Sequence, residues 1–134
     1  MSEDFGQTSE NLARAITFWK RDRNDIARSL LIMSLAQSRL LLPLVEQKEE
    51  GSLPEMVQVT FKSKDGRCAV LAFTSLAALL EFNQSARPLP KAAPEAALEA
   101  LEKNFDGMII DIASEHRIAL NLSEIANIAQ SQAT

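Results

Sequence analysis

The sequence predicts an α+β fold in a single domain, with a mixed or mainly antiparallel sheet of about five strands, flanking helices and an N-terminal helical extension. Apolar residues recur at helical spacing near both ends of the chain, whereas the middle carries two segments with strand patterns. The pair Asp65-Gly66 joins those two segments, and this dipeptide is a strong signal for a β-hairpin. At 134 residues the chain suits one domain. We therefore divide it into an extension, residues 1–25, and a domain, residues 26–134.

The extension is predicted to form a helix over residues 8–21, capped by Thr8 or Ser9. Phe18 and Trp19 are adjacent, so their side chains point about 100° apart and at least one stays exposed unless a partner covers it. Trp is also enriched at interface hot spots. We therefore predict a partner interface, in a homodimer or with another protein, formed by the apolar residues of this helix: Leu12, Ile16, Phe18 and Trp19. The alternative, that the helix packs on its own domain, stays open.

A second helix is predicted over residues 25–37. Its apolar side chains form one stripe that two further leucines widen. The stripe consists of Ile26, Leu30 and Met33, and the widening residues are Leu31 and Leu35. A stripe of this width predicts contacts on two sides of the helix.

Three strands are predicted next. Residues 39–46 are apolar on both faces, and Pro43 within them is placed at a bulge or on a sheet edge because proline cannot donate to a ladder. Residues 56–63 alternate apolar and polar side chains, as a half-buried strand does. Residues 67–73 are apolar on both faces, so the hairpin at Asp65-Gly66 is predicted to lie at the centre of the sheet.

The second half of the chain predicts further helices and short strands. A helix begins at Thr74 or Ser75, and residues 85–94 follow as an extended connector that contains three prolines. The next helix, residues 95–104, is predicted to turn Leu98 and Leu101 inward. The remaining predicted elements are strands at 108–112 and 117–122 and a final helix capped by Ser123.

The composition argues against several classes of protein. The net charge is −4, and an acidic domain repels phosphate backbones, so we expect no nucleic-acid partner. No segment reaches the roughly 20 continuous apolar residues that cross a bilayer. Residues 1–20 carry acids where a secretory signal has a basic start, and the single cysteine allows no internal disulfide. We therefore expect a cytoplasmic protein with no membrane partner.

The lone cysteine, Cys68, has two interpretations. A reactive thiol needs a histidine, a cation or a helix N-terminus beside it. Arg67 is its neighbour on a strand and points to the opposite face, and the only histidine, His116, lies far along the chain. We therefore predict that Cys68 is a small packed core residue, with a thiol sensor as the alternative.

A second candidate site lies in the strand and turn at residues 111–117. Asp111 is an acid inside a short apolar strand, so it must be paired, at an edge, or functional. The candidate ligand-binding residues there are Asp111, Glu115, His116 and Arg117. We predict no catalytic residues, no metal and no cofactor, because one histidine and one cysteine lack carboxylates at ligand spacing and the glycines are isolated.

Four segments, in this order, resemble the N-terminal domain of the SseB family, which is named for enhanced serine sensitivity. They are residues 40–46, 65–82, 86–90 and 105–122, and the resemblance covers about residues 28–130. The resemblance implies a small α/β module of the bacterial cytoplasm without an established catalytic activity, and it supplies no catalytic residues. The extension lies outside the pattern.

We therefore predict a non-enzymatic interaction or regulatory module that binds a protein partner or a second copy of itself. The alternative is a small-ligand-binding or weakly catalytic domain that uses residues 111–117.

Overall fold

The computed structural model describes residues 6–131. The first five residues of the predicted extension and the last three of the predicted domain lie outside that range. The helices are α1 (Glu10–Asp22), α2 (Asp25–Ala36), α3 (Leu76–Phe82), α4 (Ala93–Glu102) and α5 (Leu122–Gln130). The strands are β1 (Arg39–Gln47), β2 (Glu55–Gln58), β3 (Thr60–Lys62), β4 (Cys68–Ala72), β5 (Arg87–Ala92), β6 (Gly107–Ile110) and β7 (Ile118–Leu120).

Side-chain caps start four of these helices. Ser9, Asn24 and Ser75 each accept a hydrogen bond from a backbone N–H in the first turn of α1, α2 and α3, respectively. The fourth cap, at α5, is Asn121 rather than the predicted Ser123, and Glu124 completes a capping box with it. The predicted caps at Ser9 and Ser75 are confirmed.

The strands form two sheets, with orders β2-β1-β5 and β3-β4-β6-β7. Every pairing is antiparallel except that of β4 with β6, which is parallel. The predicted α+β class is confirmed, but the described residues form seven strands in two sheets where one sheet of about five was expected. The hairpin at Asp65-Gly66 joins β3 to β4 in the second sheet, where β4 is an inner strand and β3 an edge.

The extra sheet arises because the predicted strand at residues 56–63 serves both sheets. Its first half, β2, pairs with β1, and its second half, β3, pairs with β4. Between them Val59 donates its backbone N–H to the carbonyl of Pro43 at 2.9 Å. The chain therefore changes sheets at Val59.

Prolines occupy positions in β1 and β5 where no ladder bond is lost. Pro43 lies inside the central strand β1, not at a bulge or an edge, and it is buried. Leu41 exchanges backbone hydrogen bonds with Phe73 on that side of β1, so Pro43 falls where the neighbouring strand changes and its missing N–H leaves no partner unpaired. The predicted connector at 85–94 contains edge strand β5, whose Pro88 and Pro90 alternate with the residues bonded to β1.

Two apolar clusters hold the layers together. The larger one lies between the sheets and helices α1, α2, α4 and α5, and its largest members include Leu12, Leu31, Leu42, Met108 and Ile125. The smaller one lies on the opposite face, where α3 covers a set that is centred on Phe73: Leu41, Leu71, Leu79 and Ala86. Helices thus cover both faces of the sheets.

Helix α4 buries alanines where leucines were predicted. Ala93, Ala96, Ala97 and Ala100 are buried, whereas Leu98 is 43% exposed and Leu101 is half-buried. The inward prediction for Leu98 was wrong, because the buried face of α4, which contacts mainly α5, consists of the four alanines.

Candidate interaction surface

Helix α1 packs on the rest of the domain through most of its predicted interface residues. Leu12 is only 1% exposed and belongs to the larger apolar cluster, so it offers no surface to a partner. Ile16 and Trp19 are half-buried against the same cluster. Phe18 is half-buried, and it belongs to neither cluster. Of the four residues predicted for a partner interface, only Phe18 and the exposed edges of Ile16 and Trp19 are accessible to a partner.

Trp19 is held between two guanidinium groups. The guanidinium carbon of Arg28 lies 4.8 Å from the centre of the ring, and that of Arg23 lies 5.0 Å from it. Such cation–π contacts contribute about 0.5–1 kcal/mol each at exposed sites. The ring is therefore fixed on its own domain by packing and by charge.

Arg28 also joins α2 to α5 and β7. Its Nε and Nη2 donate to the two carboxylate oxygens of Glu124 at 2.7 and 2.8 Å, and Nη2 donates to the carbonyl of Ala119 at 2.8 Å. The hydrogen bond from Arg28 is the main reason that the pKa of Glu124 lies below its ordinary value. This fork holds α2 in one orientation on the domain.

With α2 fixed in this way, one of its apolar stripes is buried and the other faces outward. Ala27, Leu31 and Leu35 are fully buried. The second stripe, which we call the α2 stripe, consists of Ile26, Leu30 and Met33, with exposed fractions of 68%, 42% and 59%. The sequence predicted contacts on two sides of α2, and within the described residues only one of the two sides is covered.

A groove borders the stripe between α2 and α5. Its volume is about 500 Å³, and Met33, Ile32 and Ala36 supply its apolar wall. Its polar side includes Asp25, Arg28, Glu124 and Asn127. The groove meets the stripe at Met33, and Asp25 is the one charged lining residue outside the Arg28–Glu124 pair.

Asp111 directly follows β6, and its side chain is hydrogen-bonded to Thr74, just before α3. Its two carboxylate oxygens accept hydrogen bonds from the backbone N–H of Thr74 at 2.9 Å and from the hydroxyl of Thr74 at 2.7 Å. Thr74 is only 4% exposed. Burial raises the pKa of Asp111, and the bonds from Thr74 oppose that rise.

The backbone of Asp111 has the left-handed conformation, with φ at 55°. Asp and Asn tolerate this region better than most residues. The conformation turns the chain out of β6 while the side chain stays directed at Thr74. Asp111 therefore links the end of β6 to the start of α3, a structural role that we call the bracket.

The other three residues of the predicted ligand site do not converge on Asp111. Glu115, His116 and Arg117 are all exposed, in a turn that Ser114 organises by accepting a hydrogen bond from the backbone N–H of His116 at 3.0 Å. Within residues 6–131, no hydrogen bond or ion pair links their side chains to the Asp111 carboxylate.

Cys68 is half-buried at the first position of β4 and belongs to neither apolar cluster, so the prediction of a packed core residue was wrong. Asp106 accepts a hydrogen bond from its backbone N–H at 2.9 Å. His116 follows the opposite end of β6, which runs parallel to β4, so the fold keeps imidazole and thiol at opposite ends of the sheet.

Residues 6–131 contain no metal-binding cluster and no membrane-spanning helix. No group of three or more His, Cys, Asp or Glu side chains there has an arrangement that would hold a metal ion. None of the helices in the same range is sufficiently long and apolar to cross a lipid bilayer.

Comparison with known proteins gives one match. A family model of the SseB protein N-terminal domain matches residues 12–127, from within α1 to within α5. Curated proteins and solved structures give no match. The division of the chain at residue 25 stays a prediction. Because the matched range covers most of the chain and contains every sheet of the fold, the chain belongs to the SseB family.

Proposed function

We propose that this domain is a non-enzymatic interaction module of the bacterial cytoplasm, and that its partner is a second copy of the same chain. The observation that carries this proposal is the α2 stripe. It is an exposed apolar surface on a helix whose opposite face is buried and which Arg28 joins to α5. Isolated exposed apolar residues are normal, whereas neighbouring ones support an interaction surface, and these three lie on one face of one helix.

The spacing of the stripe favours a second copy as the occupant. Leu30 lies in the middle, with Ile26 four residues before it and Met33 three residues after it. A two-fold axis near Leu30 would place Ile26 of each copy against Met33 of the other and the two Leu30 side chains against each other. Such an interface is isologous, and the two antiparallel helix dipoles oppose each other favourably.

The charge around the stripe supports the same partner. Ser29, Ser34 and Gln37 flank it without charge, Arg28 is paired with Glu124, and Asp25 beside Ile26 carries the remaining negative charge. Because few charges lie along this face, it favours a mostly apolar partner surface, which a second copy supplies. Three apolar side chains per copy make a small interface, so we expect a weak dimer with a dissociation constant on the order of 0.1 mM.

Sedimentation velocity over about 10 µM to 1 mM protein tests this proposal. We expect the wild type to move from monomer to dimer across that range and Leu30→Glu to remain monomeric. Leu98→Glu is the matched control, since Leu98 on α4 has nearly the same exposed fraction as Leu30. A wild type that stays monomeric throughout, or equal loss of the dimer in both variants, would overturn the proposal.

The Phe18→Ser variant extends the same test to the interface predicted on α1. Phe18→Ser weakens the dimer if α1 borders the contact and leaves it unchanged if the contact lies on α2 alone. A ligand site at residues 111–117 is less well supported, because Thr74 occupies both Asp111 oxygens and the three neighbouring side chains face outward.

A further inference from the structure

A small cavity opens between α4 and the place where the chain passes from β2 to β3. Its volume is about 200 Å³. Its floor reaches the larger apolar cluster through Leu42, Val70 and Ala100, which are all buried. An apolar cavity of about 150 Å³ already accommodates benzene, so this one has room for the body of a small ligand.

Two features of the fold create the cavity. The strands diverge at Val59, because β2 pairs with β1 in one sheet and β3 pairs with β4 in the other. The helix above the gap presents Ala96 and Ala100, whose short side chains do not fill it. Phe105 closes one wall.

The mouth of the cavity is polar and carries one uncompensated positive charge. Gln58 and Thr60 lie on one rim, and Glu99 and Lys103 lie on the other. Glu99 is paired with the ammonium group of Lys91, so its charge is balanced. Within the described part of the chain, Lys103 has no ion pair, and its ammonium group is free to meet an anion.

We propose that this cavity binds a small monocarboxylate with a compact apolar body of about six to eight carbon atoms. The apolar body occupies the pocket over Leu42, Val70 and Phe105. The carboxylate stays at the mouth, where Lys103 supplies the charge and the Thr60 hydroxyl or the Gln58 amide donates a hydrogen bond. This site is separate from the α2 stripe and does not depend on dimerisation.

The size of the cavity sets the expected affinity. A ligand of about nine non-hydrogen atoms, with an efficiency per atom between that of drug-sized ligands and that of the best very small ones, binds with a dissociation constant on the order of 1 mM. A neutral analogue of the same shape keeps the apolar contacts but loses the interaction with Lys103. We expect it to bind about three- to fivefold more weakly, as for one partly exposed charge pair.

An NMR titration of the full chain with benzoate and with benzamide, each to about 10 mM, tests the proposal. We expect benzoate to shift the amide signals of residues around Leu42, Val70 and Phe105. Lys103→Gln should weaken benzoate about three- to fivefold without changing benzamide, whereas Lys64→Gln, on an exposed lysine that does not line the cavity, should change neither.

Ala100→Leu fills the pocket and should abolish binding of both probes, with circular dichroism confirming that the variant is folded. The proposal is overturned if neither probe shifts these signals, if benzoate binds Lys103→Gln as tightly as the wild type, or if folded Ala100→Leu still binds.

Discussion

Replacing Asp111 tests whether this acid is a structural bracket or a group that waits for a ligand. Asp111→Ala removes the acceptors of two hydrogen bonds and leaves the N–H and the hydroxyl of Thr74 without them. Because Thr74 is buried, each unsatisfied donor costs about 1–3 kcal/mol. Removing a partly buried carboxylate returns some of that free energy, so we expect a net loss of about 2–4 kcal/mol in the free energy of unfolding.

Asp111→Asn is the matched variant. Its side-chain oxygen can still accept from the Thr74 N–H, its amide can donate to the Thr74 hydroxyl, and Asn tolerates the left-handed backbone. We expect its stability at pH 7 to lie within about 1 kcal/mol of the wild type. Urea unfolding followed by circular dichroism measures both variants.

The dependence on pH has a definite sign. The folded state holds the Asp111 proton more tightly than the unfolded chain does, because its pKa is raised above the ordinary value of 3.8. The contribution of this group to stability is therefore fully present below the ordinary pKa and falls as pH rises through the raised one. Relative to Asp111→Asn, the wild type should lose stability as pH rises through that window. An Asp111→Ala variant as stable as the wild type at pH 7 would refute the bracket.

Three further substitutions test other parts of the fold by urea unfolding. Arg28→Lys cannot form the two-pronged bond to Glu124, so we expect a loss of about 2 kcal/mol; a loss under 0.5 kcal/mol would contradict the role of Arg28 in fixing α2. Asn121→Ala removes the cap of α5 and should cost about 1 kcal/mol, while no change would show that the capping box is dispensable. Gly107→Ala places a Cβ 3.0 Å from the carbonyl oxygen of Leu120, so we expect a loss of about 1–2 kcal/mol; an unchanged midpoint would mean that β7 moves away freely.

The helices were predictable from the sequence, but in α2 and α4 the buried face was not. In α2, both Ala27–Leu31–Leu35 and Ile26–Leu30–Met33 have helical spacing, so periodicity alone does not decide between them. Tertiary contacts make the choice, since Leu31 and Leu35 join the larger cluster and Arg28 binds Glu124, which lies far along the sequence. In α4, the alanines rather than the more apolar Leu98 face the interior, and α5 is the element that α4 mainly contacts.

The number of sheets could not be predicted from the sequence either, for a different reason. The alternation over residues 56–63 continues unbroken through Val59, because a strand that changes partners keeps the same side-chain period. No local signal in the sequence marks that change. The cavity at the same junction could not be predicted either, since its walls come from strands and a helix that only the tertiary fold brings together.

For Asp111, the sequence predicted that the residue is unusual but not which partner it binds. The acid was recognisable as anomalous because it ends an apolar strand. Its partner, Thr74, was recognisable only as a possible helix cap, and the two are 37 residues apart. The parallel pairing of β4 with β6 brings them together, which explains the acid without a ligand.

Disulfide trapping at Leu30 tests the proposed two-fold contact most directly. In a Cys68→Ser background, Leu30→Cys places one thiol per copy at the centre of the α2 stripe, where the proposed two-fold contact would bring the two thiols within the range that a disulfide requires. Mild oxidation should yield a covalent dimer of Leu30→Cys, whereas Leu98→Cys in the same background should remain monomeric. Equal cross-linking of the two variants, or no dimer from Leu30→Cys at concentrations near 1 mM, would contradict the account.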